Sequence, residues 1–181
     1  MHFEVEHVFD APIELVEAAM FHPDYSSFLL ERSDLLNSAA LQSFEDDGLR
    51  IHRRVQVAPR PSFDRIGGKK VPAEWFEFIE DSTWDRRGRK LSFENIPITE
   101  QIASRLTSRG ELTLEVLAPG KTKRRAHGEV KVRDLPLLVK PLTPLVEQML
   151  AREAKRMFDA EAEVLRAFIA SGRMRAPVVH A

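Results

Sequence analysis

Charged residues placed by alternation among apolar ones are where this chain would do chemistry if it does any. Arg53 shares a strand face with Leu49, Ile51, Val55 and Val57, and Glu80 shares one with Phe76, Phe78 and Trp84. Glu153 and Glu161 fall inside the apolar arc of a long helical segment, and His7 is the one histidine expected inward on a strand. An unpaired charge is too costly to bury, so each inward charge implies a partner or a wet cavity. The simplest pairing is Arg53 with Glu153 or Glu161. His7, Glu153 or Glu80 could also move a proton as general acid or base. The competing reading is structural: strand bulges flip parity, and Arg53, flanked by Arg50 and Arg54, would face outward after a slip of one residue.

Other chemistries are disfavoured. With no cysteine in the chain there is no thiol nucleophile and no disulfide framework. His2 and His7 lie on opposite strand faces, which argues against joint metal ligation. Gly67-Gly68-Lys69-Lys70 lacks phosphate-loop spacing, and no serine sits in a nucleophile elbow. No metal and no cofactor are therefore expected. The formal net charge of −1 gives no global attraction to nucleic acid, so no nucleic-acid partner is expected either.

The elements that must hold these residues follow from hydrophobic period. His2 to Phe9 alternates as a strand, with Phe3, Val5, His7 and Phe9 on one face. Asp10 is expected to cap a helix carrying Pro12, Ile13, Val16 and Met20, and a second short helix runs from about Asp24 to Leu36. From there to Arg133 the period is two. Three pairs of strands flank the turn signals Asp46-Asp47-Gly48, Arg86-Arg87-Gly88-Arg89 and Ala118-Pro119-Gly120-Lys121. Six sequential strands plus the first predict a seven-stranded antiparallel sheet that curls and leaves one face for a helix.

That helix is Thr143 to Ala170, with Thr143 as N-cap, Pro144 at the first helical position and Ser171-Gly172 as the stop. At about 42 Å it would cross a domain of this size from side to side. Its apolar arc gathers Leu142, Val146, Met149, Leu150, Met157, Val164, Leu165 and Phe168. The class is α+β: one domain over residues 1–171 and a loose tail over 172–181. The N-terminus has neither a basic start nor an apolar run, so no signal peptide or transmembrane segment is expected, and the cytoplasm is the default compartment.

This order of elements resembles the START-like superfamily, the helix-grip or pollen-allergen-like fold that includes polyketide cyclases. The resemblance rests on FDAPIELVEAAM, similar to that superfamily's strand-to-helix start, and on GEVKVRDLPLLVKPLTPLVEQML, similar to its last strand passing into the long helix. It spans about His2 to Ala170 and implies a curved sheet wrapped around the C-terminal helix, with a cavity between them. Members bind lipids, sterols or hormones, cyclise polyketides, or act on partner proteins, so the resemblance implies architecture more than activity.

Antiparallel connectivity puts the three short turns at one end of the sheet and three long connections, from Pro59, Ile96 and Asp134, at the other. The long connections carry Phe63, Ile66, Ile98, Ile102 and Leu138, which are taken to form a cavity mouth, or else a plug of the barrel end. The expected ligand-contacting set inside is His7, Arg53, Phe76, Phe78, Phe93, Leu112, Leu114, Met149, Glu153 and Met157. The favoured function is binding or transport of a small hydrophobic molecule, lipid-like or polycyclic. One alternative is a cyclase- or hydratase-type enzyme. Another is a protein-partner module, or contact with an anionic membrane surface, through the basic turns at Arg86, Arg87, Arg89, Lys90, Lys121, Lys123, Arg124 and Arg125. The sequence leaves the oligomeric state open.

Overall fold

The computed structural model describes residues 1–66, 68–133 and 140–174, leaving out the side chain of Lys69. Strand β1 (His2–Phe9) leads into helices α1 (Ile13–Met20) and α2 (Tyr25–Arg32), then β2 (Leu36–Asp46) and β3 (Arg50–Pro59). A connection follows that holds the two-residue strands β4 (Arg65–Ile66) and β5 (Lys69–Lys70) and a 3-10 turn at Ala73–Phe76. Strands β6 (Phe78–Asp85) and β7 (Lys90–Pro97), the short helix α3 (Glu100–Ala103), and strands β8 (Leu106–Ala118) and β9 (Lys121–Val132) complete the sheet. The last element is α4 (Thr143–Ala170), entered through a 3-10 turn at Lys140–Leu142.

The large sheet has seven strands in the order β1-β9-β8-β7-β6-β3-β2, every pairing antiparallel. Joining β1 to β9 brings the chain's first strand beside its last, so the meander curls around α4 and closes over its buried side: the helix-grip fold. Alternation along β1 is complete, with Phe3, Val5, His7 and Phe9 buried and the residues between them exposed. Ala151, Ala162, Leu165 and Phe168 of α4 pack against this floor, and Phe158 joins them between the rings of Phe3 and Phe93, with centroids 5.9 and 5.8 Å away.

Several local expectations are corrected. The second helix ends at Arg32, and Leu36 instead starts β2, paired with Pro59. The stretch from Glu74 to Phe76 is a 3-10 turn, because Pro72 fixes the φ that starts it. Leu49 is exposed: it sits in the turn after Gly48, whose φ is +85°, and the Asp47 carboxylate accepts the backbone N–H groups of Leu49 and Arg50. Val116 is exposed too, beside a register slip between Val116 and Ala118. Leu142, rather than Thr143, occupies the N-cap of α4, and the Thr143 hydroxyl donates back to the Lys140 carbonyl. Pro12 takes the N-cap of α1 in place of Asp10, which reaches Lys121. Leu138 and residues 175–181 of the expected tail lie outside the described residues.

Candidate functional site

Between the concave face of the sheet and α4 lies a cavity of about 620 Å3, within the range typical of small-molecule sites. The sheet supplies Val55, Val57, Phe78, Leu91, Phe93 and Leu112, every one on the inward parity of its strand. Helix α4 supplies Val146, Leu150, Ala154, Met157 and Phe158, and α2 closes one side with Tyr25 and Leu29. The wall is thus mainly aliphatic and aromatic, with polar and charged groups set among the apolar ones.

Two paired sets stand among them, while Arg60, Lys70, Glu77, Arg105, Glu153 and Arg156 also line the space. Arg53 donates to three acceptors: Glu80 Oε1 at 3.1 Å, Ser82 Oγ at 3.3 Å and the Met20 carbonyl at 3.4 Å. The Ser82 hydroxyl itself donates to Glu80 Oε1 at 3.2 Å. In the second set Arg124, fully buried, donates from NH1 to Glu161 Oε2 at 2.9 Å and from NH2 to the Phe158 carbonyl at 3.0 Å. Tyr25, which also lines the cavity, donates to the Glu161 carbonyl at 3.4 Å. Burial drives the Tyr25 phenol well above its ordinary pKa; the charge of Glu161 adds to the shift, while Arg124 and Arg53 oppose it. Tyr25 therefore keeps its proton and feels both sets.

Arg53 is inward as alternation predicts, but its partner is neither Glu153 nor Glu161. It is Glu80, diagonally placed on the neighbouring strand, where Val55 is the residue opposite Glu80. Glu153 instead accepts from the backbone N–H of Ser62 at 3.2 Å, from the Ser62 hydroxyl, and from Arg156 of its own helix. Arg156 donates onward to the Arg60 carbonyl at 2.7 Å. The connection after β3 is thereby stapled to α4 at one rim of the cavity.

Arg53, Phe76, Phe78, Phe93, Leu112, Glu153 and Met157 are brought together around the cavity, and Phe63, Ile66 and Ile102 reach it from the long connections. Four expected residues stand elsewhere. Leu114 is buried where β8 pairs with β9, opposite Arg124, beyond the cavity wall. Met149 is half-buried on α4 and is not among the residues of that helix that line the cavity. Ile98 is exposed because Pro97 takes the inward position just before it. His7 is buried beneath α4, with Nε2 2.9 Å from Asp159 Oδ1 and Nδ1 3.4 Å from Arg124 NH2. Since a guanidinium only donates, Nδ1 accepts and Nε2–H donates to Asp159, which makes His7 neutral. Burial is the main cause that lowers its pKa.

The cavity also takes residues the sequence reading did not assign to it: Tyr25, Phe158, and the pair Asn95–Ser108, joined at 3.2 Å. Asn95 and Ser108 were legible as inward by parity, whereas nothing in the spacing of Tyr25 marks it as reaching the cavity. Most cations of the basic turns are matched by acids. Arg86 contacts Glu17 and Asp46, Arg89 contacts Glu14, Lys90 contacts Glu111, and Lys123 and Arg125 share Glu6. Among the described residues no helix is long and apolar enough to cross a membrane.

Solved structures share this architecture at low identity. The Zhui aromatase/cyclase from Streptomyces sp. R1128 superposes with a TM-score of 0.64 at 15% identity, covering 97% of this chain and 96% of that one. A norcoclaurine synthase mutant from Thalictrum flavum, in complex with a transition-state analogue, gives 0.59 at 14% identity, over 91% and 93% of the two chains. A START superfamily protein from Mycobacterium smegmatis gives 0.54 at 12% identity, over 94% and 97%. The fold is therefore START-like; at such identities the likeness extends to the fold alone. No curated protein sequence matches the chain. The model of the family described as "Protein of unknown function (DUF2505)" matches residues 4–169, from the first strand almost to the end of the long helix, and the chain belongs to that family.

Proposed function

We propose that this protein binds a small hydrophobic molecule in the space between sheet and α4. The observation that carries the reading is the cavity of about 620 Å3 with its mainly apolar wall. A void of that size would be costly to keep in a core whose other contacts are close-packed. Burial of the ligand's apolar surface would supply the affinity, at about 25 cal/mol per Å2 before the costs of association. Phe78, Phe93, Leu112 and Met157 form the proposed contact surface, with Phe63, Ile66 and Ile102 at the mouth and Arg53 and Glu80 as the polar groups that orient the ligand. The lack of cysteine is in keeping with work in the cytoplasm.

Native mass spectrometry of the purified protein tests the proposal together with titration of an uncharged naphthalene fluorophore, N-phenyl-1-naphthylamine. A retained small molecule or saturable fluorescence enhancement is expected. Neither signal at micromolar protein would reject the reading.

An acid–base enzyme is the second reading, favoured by Glu80 in the cavity wall. His7 is a poor candidate for that role, because both ring nitrogens are already engaged beneath α4. Turnover lost in Glu80→Gln, with fluorophore binding retained, would support it.

A further inference from the structure

The charges that line the cavity are sorted by depth. Inside, Arg53 sits on Glu80 and Arg124 covers Glu161 from behind the wall, so neither sign is in excess there. The opening is different. The rows Val57–Phe78–Pro97 and Asn95–Ser108 bring the end of β3, the start of β6, the end of β7 and the start of β8 to one end of the sheet. Arg60, Lys70, Glu77 and Arg105 belong to the connections at that end, and all four line the cavity. Arg156 joins them from α4, where Glu153 neutralises it. What remains is Arg60, Lys70 and Arg105 against Glu77, an excess of positive charge confined to the opening. Among the described residues no carboxylate pairs with Lys70 or Arg105, and Arg60 is held through Nε by the uncharged Asn37.

Depth also sets how a guest can lie. Arg53 stands six residues back along β3 from Pro59, about 20 Å along the strand. Between them the inward positions are Val55 and Val57, packed with Phe78 and Met157. An anionic group pushed down this apolar path would lose its water and arrive beside Glu80 and Glu161, which is too costly. At the opening it keeps part of its hydration and meets the unbalanced cations. A cationic head would feel the same excess as repulsion, and an uncharged head gains nothing from it.

We infer that the ligand is an amphiphile with an anionic head, a carboxylate or a phosphate monoester, whose apolar chain fills the cavity while the head stays at the opening among Lys70, Arg105 and Arg60. The inference rests on the binding reading above and specifies its ligand class and orientation. Lysine offers a point charge and arginine a planar fork of donors, so either oxyanion can be met. Because the opening is wet, each cation contributes modestly and salt screens its effect.

The test is displacement of N-phenyl-1-naphthylamine from the full chain by dodecanoate, dodecyl phosphate, dodecan-1-ol and dodecyltrimethylammonium, all kept below micelle-forming concentrations. At about pH 8 and low salt both acids are ionised. At least one of them is expected to compete about threefold or more better than dodecan-1-ol, and about tenfold better than dodecyltrimethylammonium. The stronger anion identifies the head. The anion-over-alcohol ratio should shrink as sodium chloride is added, and fall at least threefold in Lys70→Gln combined with Arg105→Gln. Arg87→Gln, which removes a cation from the turn at the opposite end, should leave that ratio unchanged. Equal competition, preference for the alcohol or the cation over both anions, retention of the ratio in the double variant, or an equal loss in Arg87→Gln would overturn the inference while leaving the binding reading intact. So would sedimentation with phosphatidylglycerol vesicles that depends on Lys70 and Arg105 without any anion preference in displacement, since the cations would then serve a membrane surface. Failure of the fluorophore to bind would instead reject the binding reading, and this inference with it. If the double variant does not fold, as judged by circular dichroism, the order of the competitors on the unaltered protein and its salt dependence decide.

Discussion

Arg124 of β9 and Glu161 of α4 face each other at 2.9 Å across the contact between sheet and helix, the arginine fully buried and the glutamate partly open to the cavity. This ion pair fixes where α4 sits along the sheet, and one end of it belongs to the proposed ligand site. Removing the acid leaves a guanidinium in the core with the Phe158 carbonyl and the His7 ring nitrogen as its remaining hydrogen-bond partners.

Glu161→Ala is therefore expected to destabilise the fold by about 3 kcal/mol, the low end for a broken buried pair because Glu161 is itself partly solvated. Arg124→Met combined with Glu161→Leu should be closer to wild type than Glu161→Ala alone, since it removes both charges and keeps volume. Urea unfolding midpoints check the order. If Glu161→Ala costs no more than an ordinary surface substitution, the pair does not hold the helix in place.

His7 gives a pH signature. Its folded pKa lies below its ordinary value near 6.5 because burial disfavours the cation, and nearby Arg124 and Arg166 add to that, against the bond to Asp159. The unfolded chain then takes up the proton first as pH falls. His7's contribution is fully present above about pH 6.5 and is lost progressively below it, down to the folded pKa. The carboxylates held low by partners, such as Asp46 accepting from Gly48, act only at more acid pH. Stability measured from pH 7.5 to 5.5 should decline, and His7→Gln should flatten that slope; an unchanged slope would place the titrating group elsewhere.

The fold was legible because the period switches cleanly: two along β1 and the six later strands, then helical from Thr143. Parity alone put Arg53 inward, whereas Arg124, read above with the basic turns, is in fact buried, on the strand face it shares with Ala126, Gly128 and Val130. Pairing was not legible. The partner of Arg53 is a diagonal neighbour set by the β3–β6 register, and no spacing within either strand encodes it. On α4 the cavity takes Phe158 and not Met149, and a wheel weighted by large aliphatic residues gives little pull to Ala151, Ala154 and Ala162, which pack into the core between helix and sheet. The staple between Glu153 and Ser62 had no sequence signal, since residues 60–76 carry no sustained period.

Close approach also explains two glycines. Gly110 and Gly128 are paired across β8 and β9 on the inward face, beneath the rings of Phe93 and Phe3. A Cβ at Gly110 would stand 2.7 Å from Phe93 Cζ and would also press on the His127 carbonyl; at Gly128 it would collide with the Phe3 ring. Either alanine should push its phenylalanine against Phe158. Gly110→Ala and Gly128→Ala are each expected to cost about 1–3 kcal/mol through overpacking. Gly120→Ala, in a turn with open space around it, should lack that steric penalty and retain only the cost of its positive φ. Thermal unfolding of all three, with fluorophore affinity measured alongside, separates a packing loss from a change in the site.

The staple at the rim should set exchange kinetics if the cavity takes a ligand. The connection from Arg60 to Phe76 covers one side of the opening with Phe63, Ile66 and Phe76, the first and last in edge-to-face contact at 5.3 Å. Its tie to α4 is Ser62 with Glu153, reinforced by Arg156 on the Arg60 carbonyl. These contacts are solvent-exposed, so each adds little to global stability. They nevertheless have to break for the connection to lift away from the helix. Ser62→Ala with Glu153→Gln is expected to leave the unfolding midpoint nearly unchanged and to speed N-phenyl-1-naphthylamine release several-fold in stopped-flow chasing. Association should accelerate by a similar factor, because a staple that only gates access changes both rates and leaves Kd nearly constant. A change confined to release would mean that Ser62 and Glu153 stabilise the bound state itself, and the gating account would fail.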